Sequence, residues 1–299
     1  MAATIVGADV DWISSVCPLD SPLYSKCSDL ALNIISDQEA LGDVTHSQML
    51  YGYGGMKSGK VFFGTRTDSA IVQCSGDAAR KYWRAIAEAF PRTSRLDIAI
   101  DVRLESADTD YIRFAARDSA EHRTTSRNPW KIRFIDGHGA GDTAYFGSFN
   151  SDHFMRIYDK YAESGDEKYK NTIRYEVVLR RENATNYSKR LLESTGAAQV
   201  RYMEKIVNSY CAARGINCLF TTNSTVNLHR LGNGGHDKER FEKWILKQMP
   251  TSINRAIGWE MGPQLAKVLP LCELLHACNA PKELIYSLRV FLMTLRKDT

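Results

Sequence analysis

The chain has 299 residues, 43% hydrophobic and 25% charged, which suits one large or two ordinary soluble domains and excludes a disordered or fibrous protein. No apolar run reaches the ~18 residues of a membrane span, and the opening MAATIVGADVDWISS has no basic segment ahead of a long apolar stretch, so a cytoplasmic protein is expected. The formal net charge of +4 permits a polyanionic partner without requiring one, and seven cysteines without a CxxC pair argue against a zinc knuckle or a disulfide framework.

In chain order, TIVGADVDWISS reads as a first strand. HSQMLYGYGG leads into KVFFGTR and AIVQCSG, a hairpin pair. Residues 77–90, DAARKYWRAIAEAF, carry apolar positions at helical spacing and stop at Pro91. RLDIAIDVRL and KIRFID are strands, and Gly137 to Gly141 form a glycine-rich turn. TAYFGS and HFMRIYDK form a second hairpin, and TIRYEVVLRR is a further strand. After about residue 190 the spacing becomes helical, in AAQVRYMEKIVNSYCAARG, KERFEKWILKQM, SINRAIGWEMGPQLAKVL and KELIYSLRVFLMTLR. Asn233-Gly234-Gly235 reads as a joint ahead of the last helices. The expected class is α+β: a mostly antiparallel central sheet with flanking helices over residues 1–190, then a helical region over 191–299 for DNA binding or dimerisation. Within that region Arg240, Lys243, Lys247, Arg255, Lys267, Arg289, Arg296 and Lys297 are candidates for duplex recognition, set against ordinary amphipathic packing with a solvated basic face.

Gly54 to Lys60 matches GxxxxGK, but Val61 stands where a phosphate loop needs Ser or Thr for magnesium, and the strand-like Phe62-Phe63-Gly64 follows in place of a helix. A glycine-rich turn before a strand is the better reading.

Strand residues two apart share a face. That aligns Arg95, Asp97, Ala99 and Asp101; Arg174, Glu176, Val178 and Arg180; and Arg156, Tyr158 and Lys160. If these faces coincide, acids, bases and one tyrosine converge. The stretch 156–190 adds nine Lys and Arg against six Asp and Glu. Such a cluster suits attack of a tyrosine oxygen on a phosphodiester. A phenol with a pKa of ~10 needs a nearby cation or base to act at neutral pH, and the phosphate needs a divalent ion or Arg and Lys to answer its charge. Oxygen-only ligands suit magnesium or manganese. Asp97 and Asp101 lie about 13 Å apart along a straight strand, so one of them binds metal with Glu176 while the other orients a basic residue; the sequence leaves open which. Tyr161 and Tyr175 have the wrong parity for the cluster, and Tyr169 falls in a polar loop. A half-solvated sheet alternates charged and apolar residues for no chemical reason, so the pattern alone does not establish catalysis.

The order RLDIAID (95–101), AYFGSFNSDHFMRIYDK (144–160) and IRYEVVLRR (173–181), with GYGG, VFFGT and AIVQCSGDAA upstream, resembles the Rep_trans replication initiators, rolling-circle initiators of plasmids, filamentous-type phages and some integrative elements. The resemblance runs over roughly residues 8–185. It implies a DNA nickase and religase that cuts one strand at a double-stranded origin, stays joined to the 5′ end through tyrosine, and later rejoins the strand. On that resemblance Tyr158 is the nucleophile, Arg156 and Lys160 lower its pKa or hold the phosphate, and Asp97, Asp101 and Glu176 are the metal positions, for Mg2+ or Mn2+. Arg95, Arg174, Arg180 and Arg181 are the expected DNA contacts. The absence of a His-x-His pair agrees with a carboxylate site, and Phe149-Asn150 departs from the family, where a basic residue often follows Gly-Ser. The expected partners are double-stranded origin DNA, single-stranded DNA and a host helicase, with room for a homodimer and no membrane. The alternatives are a hydrolytic metal nuclease with Tyr158 structural, and a non-catalytic DNA-binding regulator.

Overall fold

The computed structural model describes residues 3–48, 53–62, 69–105, 110–126, 129–137 and 141–220. Ten strands of these residues form one sheet: β1 (Ala3–Pro18), β2 (Val44–Gln48), β3 (Tyr53–Met56), β4 (Gly59–Phe62), β5 (Ser69–Ser75), β6 (Arg92–Leu104), β7 (Ile132–Ile135), β8 (Thr143–Phe146), β9 (His153–Asp159) and β10 (Thr172–Arg180). Their order is β2-β3-β4-β5-β1-β6-β10-β9-β8-β7, and every neighbouring pair is antiparallel. Six helices accompany them: α1 (Tyr24–Ala40), α2 (Gly76–Ala89), α3 (Tyr111–Thr124), α4 (Lys160–Ser164), α5 (Arg181–Leu192) and α6 (Gly196–Ala212). This is the α+β class read from the sequence. The GxxxxGK stretch lies in the β3–β4 hairpin, with strand on both sides of its turn.

The three long central strands explain the core. Leu96, Ile98 and Ile100 of β6 stand beside Val10 and Ile13 of β1 and Tyr175, Val177 and Leu179 of β10, all buried on one face. The apolar sides of α1, α2, α5 and α6 join the same cluster through Ile34, Ile86, Tyr187 and Ile206. Helix α2 ends where Phe90 turns extended ahead of Pro91. Helices α1, α3, α4 and most of α5 were not expected from the sequence. In α3 the buried positions are only Ile112, Ala115, Ala116 and Ser119, a stripe too small and polar to stand out from a loop.

The chain divides into two compact units, Met1–Gly232 and Asn233–Thr299. Helices α5 and α6 belong to the first. The three later helices, the Asn233-Gly234-Gly235 joint and the basic residues from Arg240 to Lys297 lie outside the described residues. No described helix is long and apolar enough to cross a membrane.

Candidate active site

The face of β6, β10 and β9 opposite the apolar core carries the predicted cluster. Three strands in a row place it, because residues paired across an antiparallel ladder project to the same side. One row runs Gly7, Asp101, Arg174, Tyr158; the next runs Asp9, Ala99, Glu176, Arg156, Tyr145. Ala99, Phe154, Tyr158 and Val178 are buried yet stand apart from the apolar core cluster, as this parity requires.

Glu176 is the centre and is fully buried at 0% exposure. Tyr158 donates its hydroxyl to Glu176 Oε2 at 3.1 Å, and Arg156 Nη2 donates to Glu176 Oε1 at 2.6 Å. The Arg156 guanidinium lies 5.1 Å from the centre of the Tyr158 ring. Tyr158 is only 4% exposed. Burial pushes its phenol well above the ordinary range and the Glu176 charge adds to this, while Arg174 and Arg156 pull it down.

The two β6 aspartates differ. Asp101 sits opposite Arg174 and takes a bidentate pair from it, at 2.6 Å from Nε and 2.7 Å from Nη2. Asp97 lies two pleats further, opposite Val178 and diagonal to Glu176, whose charge acts on it. Arg95 holds Asp97 from the solvent side at 2.9 and 2.6 Å. Burial pushes Asp97 up to about 7; the Arg95 pair opposes the shift and the Glu176 carboxylate adds to it.

Several neighbours were not read from the sequence. Strand β1 is bulged between Val10 and Trp12, so Asp11 has no partner position on β6 and its Oδ1 accepts from Arg174 Nη1 at 2.8 Å. Gly7 faces Asp101 so closely that a Cβ there would lie 3.2 Å from Asp101 Oδ2. Arg80 of α2 reaches to 3.8 Å from Asp11 and 3.9 Å from Asp9. Trp12 lies under the Arg95 guanidinium, 4.3 Å from it. The signal for Asp11 was present in the alternation Asp9-Val10-Asp11, but the bulge that turns it inward is not written in the period.

Lys160 differs from its expected place. Strand β9 ends at Asp159, whose carboxylate caps α4 by accepting from Ala162 N at 3.0 Å, so Lys160 opens the helix. Its Nζ is 2.6 Å from Glu163 and 6.0 Å from the Tyr158 ring centre. Tyr175 points into the opposite face, where it donates to Tyr111 and accepts from Leu219 N. Tyr161 lies in α4 and donates to Glu167. Tyr169 stands beside the cluster, its ring 5.4 Å from Lys160 Nζ and 5.7 Å from the Arg174 guanidinium. Arg180 Nη1 donates to the Phe149 carbonyl, and Arg181 pairs with Asp152 at 2.7 Å.

The donors suit a hard divalent cation only in part. Asp97 and Glu176 are two buried carboxylates on neighbouring strands, and burial first, then the Glu176 charge, raises the Asp97 pKa against the opposing Arg95. Asp101 is turned to Arg174, and no group of three metal-binding side chains stands together among the described residues.

Residues 91–218 match the family model described as replication initiation factor. The resemblance carried by the three ordered motifs is borne out over this stretch, and residues 8–90 stand outside the match. None of the curated proteins matches the chain. Among solved structures, a rolling circle replication initiator protein from Geobacillus stearothermophilus is similar, with 22% identity, a TM-score of 0.44, and coverage of 75% of this chain and 92% of that one.

Proposed function

We propose that this chain initiates rolling-circle replication by nicking one DNA strand through Tyr158 and rejoining it later. The observation that carries this reading is the hydrogen bond from Tyr158 to the buried Glu176, set between two arginines, inside the stretch that matches the replication initiation factor family.

Glu176 Oε2 is placed to take the phenolic proton. The Tyr158 oxygen then attacks the phosphorus, a bond forms between them, and the bond from phosphorus to the 3′ oxygen breaks. The 3′ oxygen leaves, takes a proton from solvent water and ends as the hydroxyl that primes synthesis, while the 5′ phosphate stays on tyrosine. Rejoining is the same exchange run backwards by a 3′ hydroxyl. Arg156 is one-third exposed, with a side-chain value of 33%, so it can turn from Glu176 to the phosphate. Arg174 is fixed by Asp101 and Asp11 and holds positive charge beside the phenol without leaving its place. Asp97 and Glu176 would hold a magnesium or manganese ion, which supplies positive charge at the scissile phosphate. Arg95, Arg180 and Arg181 line the rim toward DNA. Duplex unwinding would fall to a helicase of the host.

The hydrolytic reading keeps one observation in its favour: the near-complete burial of Tyr158. The test is a denaturing gel of the protein with labelled single-stranded DNA tiled across the replicon that carries its gene, with magnesium or manganese. Wild type is expected to form a covalent adduct that chelator abolishes, and Tyr158→Phe to bind without forming it. An adduct that survives Tyr158→Phe removes the nucleophile, and cleavage with no adduct establishes the hydrolytic reading.

A further inference from the structure

Phe149 is a large aromatic side chain left 42% exposed at the edge of the candidate site. It sits in a short turn between β8 and β9, and that turn is built to be rigid. Gly147 takes φ +104°, Ser151 N donates to Ser148 O at 3.0 Å, Asn150 N donates to Ser148 Oγ at 3.3 Å, and Arg180 holds the Phe149 carbonyl. The Phe149 ring meets Tyr145 and Phe154 edge-on, at 5.1 and 5.2 Å between centres.

Both partner rings belong to the reactive face. Tyr145 is paired across the ladder with Arg156, and Phe154 shares the β9 face with Arg156 and Tyr158. Phe154 to Tyr158 is about 13 Å along the strand, the reach of a base attached near the reacting phosphate. The surroundings are cationic. The Arg180 guanidinium lies 5.2 Å from the Phe154 ring centre, and Arg180 stands opposite Arg95 across the β10–β6 ladder with Arg181 next to it in sequence. An exposed ring beside a run of arginines is the combination that binds unpaired nucleotides, with the ring facing the base and the cations facing the backbone.

We propose that Phe149, braced by Tyr145 and Phe154, is a stacking platform for one unpaired base of the strand held at Tyr158. This rests on the nicking reading and adds to it a recognition element that needs the DNA locally single-stranded. The charge complementarity favours a nucleotide over an apolar protein segment, because the platform is bordered by the Arg180 guanidinium, which meets the Phe149 carbonyl and the Phe154 ring, with Arg181 beyond it paired to Asp152.

The test uses full-length protein carrying Tyr158→Phe and two fluorescein-labelled probes, a 20-mer of thymidine and a 20-mer of the same length whose central residues are abasic. Adding Phe149→Ala is expected to weaken thymidine binding roughly 5- to 150-fold, the range of one base stacked on an aromatic ring, and to leave the abasic probe and the salt slope unchanged. Phe149→Trp is expected to restore binding. Equal binding of the two probes by the parent protein overturns the platform, as does a Phe149→Ala protein that still prefers thymidine to the same degree. The adduct gel separates the two ideas. Wild-type adduct with no effect of Phe149→Ala on either probe sinks the platform alone, and a base-dependent loss without any wild-type adduct sinks the nicking reading alone.

Discussion

Asp97 and Asp101 are the same residue type, four apart on one strand, and the structure predicts opposite effects for neutralising them. Asp101 is one half of a buried pair with Arg174, at 2.6 and 2.7 Å. Asp101→Asn leaves Arg174 with only the Asp11 carboxylate, and breaking one side of a buried ion pair costs about 3–5 kcal/mol. Asp97 instead carries a strained charge. Its pKa rises from 3.8 to about 7, roughly three units, and at ~1.4 kcal/mol per unit this is about 4 kcal/mol as an upper bound. The folded state binds the Asp97 proton more tightly than the unfolded chain, so that stability is fully present below pH 4 and is lost as pH rises through 7. Asparagine resembles the protonated form. In chelator at pH 8, Asp97→Asn is therefore expected to equal or exceed wild type in stability, less about 1 kcal/mol for the contact with Arg95, whose side chain is 29% exposed, while Asp101→Asn falls well below it. At pH 5 the advantage of Asp97→Asn shrinks. Urea melts of the three proteins at the two pH values measure this, and millimolar magnesium adds a second readout. Cation binding to the folded state alone raises wild-type and Asp101→Asn stability by about 1.4 kcal/mol at ten times Kd, and leaves Asp97→Asn unmoved. If the two variants lose stability together, or magnesium protects Asp97→Asn as well as wild type, the pairing of Asp97 with Glu176 as the cation site is wrong.

Two further substitutions separate structure from chemistry. Tyr175→Phe removes a hydroxyl that bonds Tyr111 and Leu219 N on the far face of β10; it should lower stability by about 1–3 kcal/mol in urea melts and leave adduct formation intact, and a lost adduct would contradict the assignment of faces. Gly147→Ala puts a Cβ at φ +104° and 2.8 Å from the Tyr210 hydroxyl; it should cost about 1–3 kcal/mol and reduce thymidine 20-mer binding with it, since the same turn presents Phe149. Unchanged stability there would show that the turn relaxes freely.

The reactive face was legible because a strand alternates with period two, and β6, β9 and β10 follow that alternation through Asp97, Tyr158 and Glu176. What joined them was not legible. The sequence left open which aspartate meets Glu176, and the register alone does not decide it, since Glu176 lies opposite Ala99 with Asp97 and Asp101 diagonal on either side; the bidentate bond from Arg174 is what takes Asp101 away. A shift of four residues would bring Asp97 opposite Arg174 with no change in either strand's alternation. Lys160 was misplaced by continuing the alternation one residue too far, past an Asp159 whose side chain already caps a helix. Asp11 depended on a bulge, and Phe149 on a turn; neither leaves a periodic trace. Helices α1 and α3 were overlooked because their buried sides include Gln38, Ser119 and several alanines.

On the nicking reading proposed above, the burial of Tyr158 bears on how cutting is held back when no DNA is bound. In the free protein the phenol donates to Glu176, and both burial and that carboxylate keep it protonated. The two opposing influences, Arg174 and Arg156, are engaged elsewhere, with Asp101 and Asp11 for the first and Glu176 for the second. Of the contacts made by these two arginines the one easiest to give up is Arg156 to Glu176, because 33% of the Arg156 side chain is exposed against 3% for Arg174. A phosphate that drew Arg156 outward would take from Glu176 the guanidinium that now lies 2.6 Å from its Oε1. Arg174 cannot follow, since Asp101 and Asp11 hold it from two sides. On the proposed mechanism the two guanidinium groups have separate roles: Arg156, 33% exposed, answers the phosphate, and Arg174, 3% exposed and held by Asp101 and Asp11, keeps its charge beside the phenol.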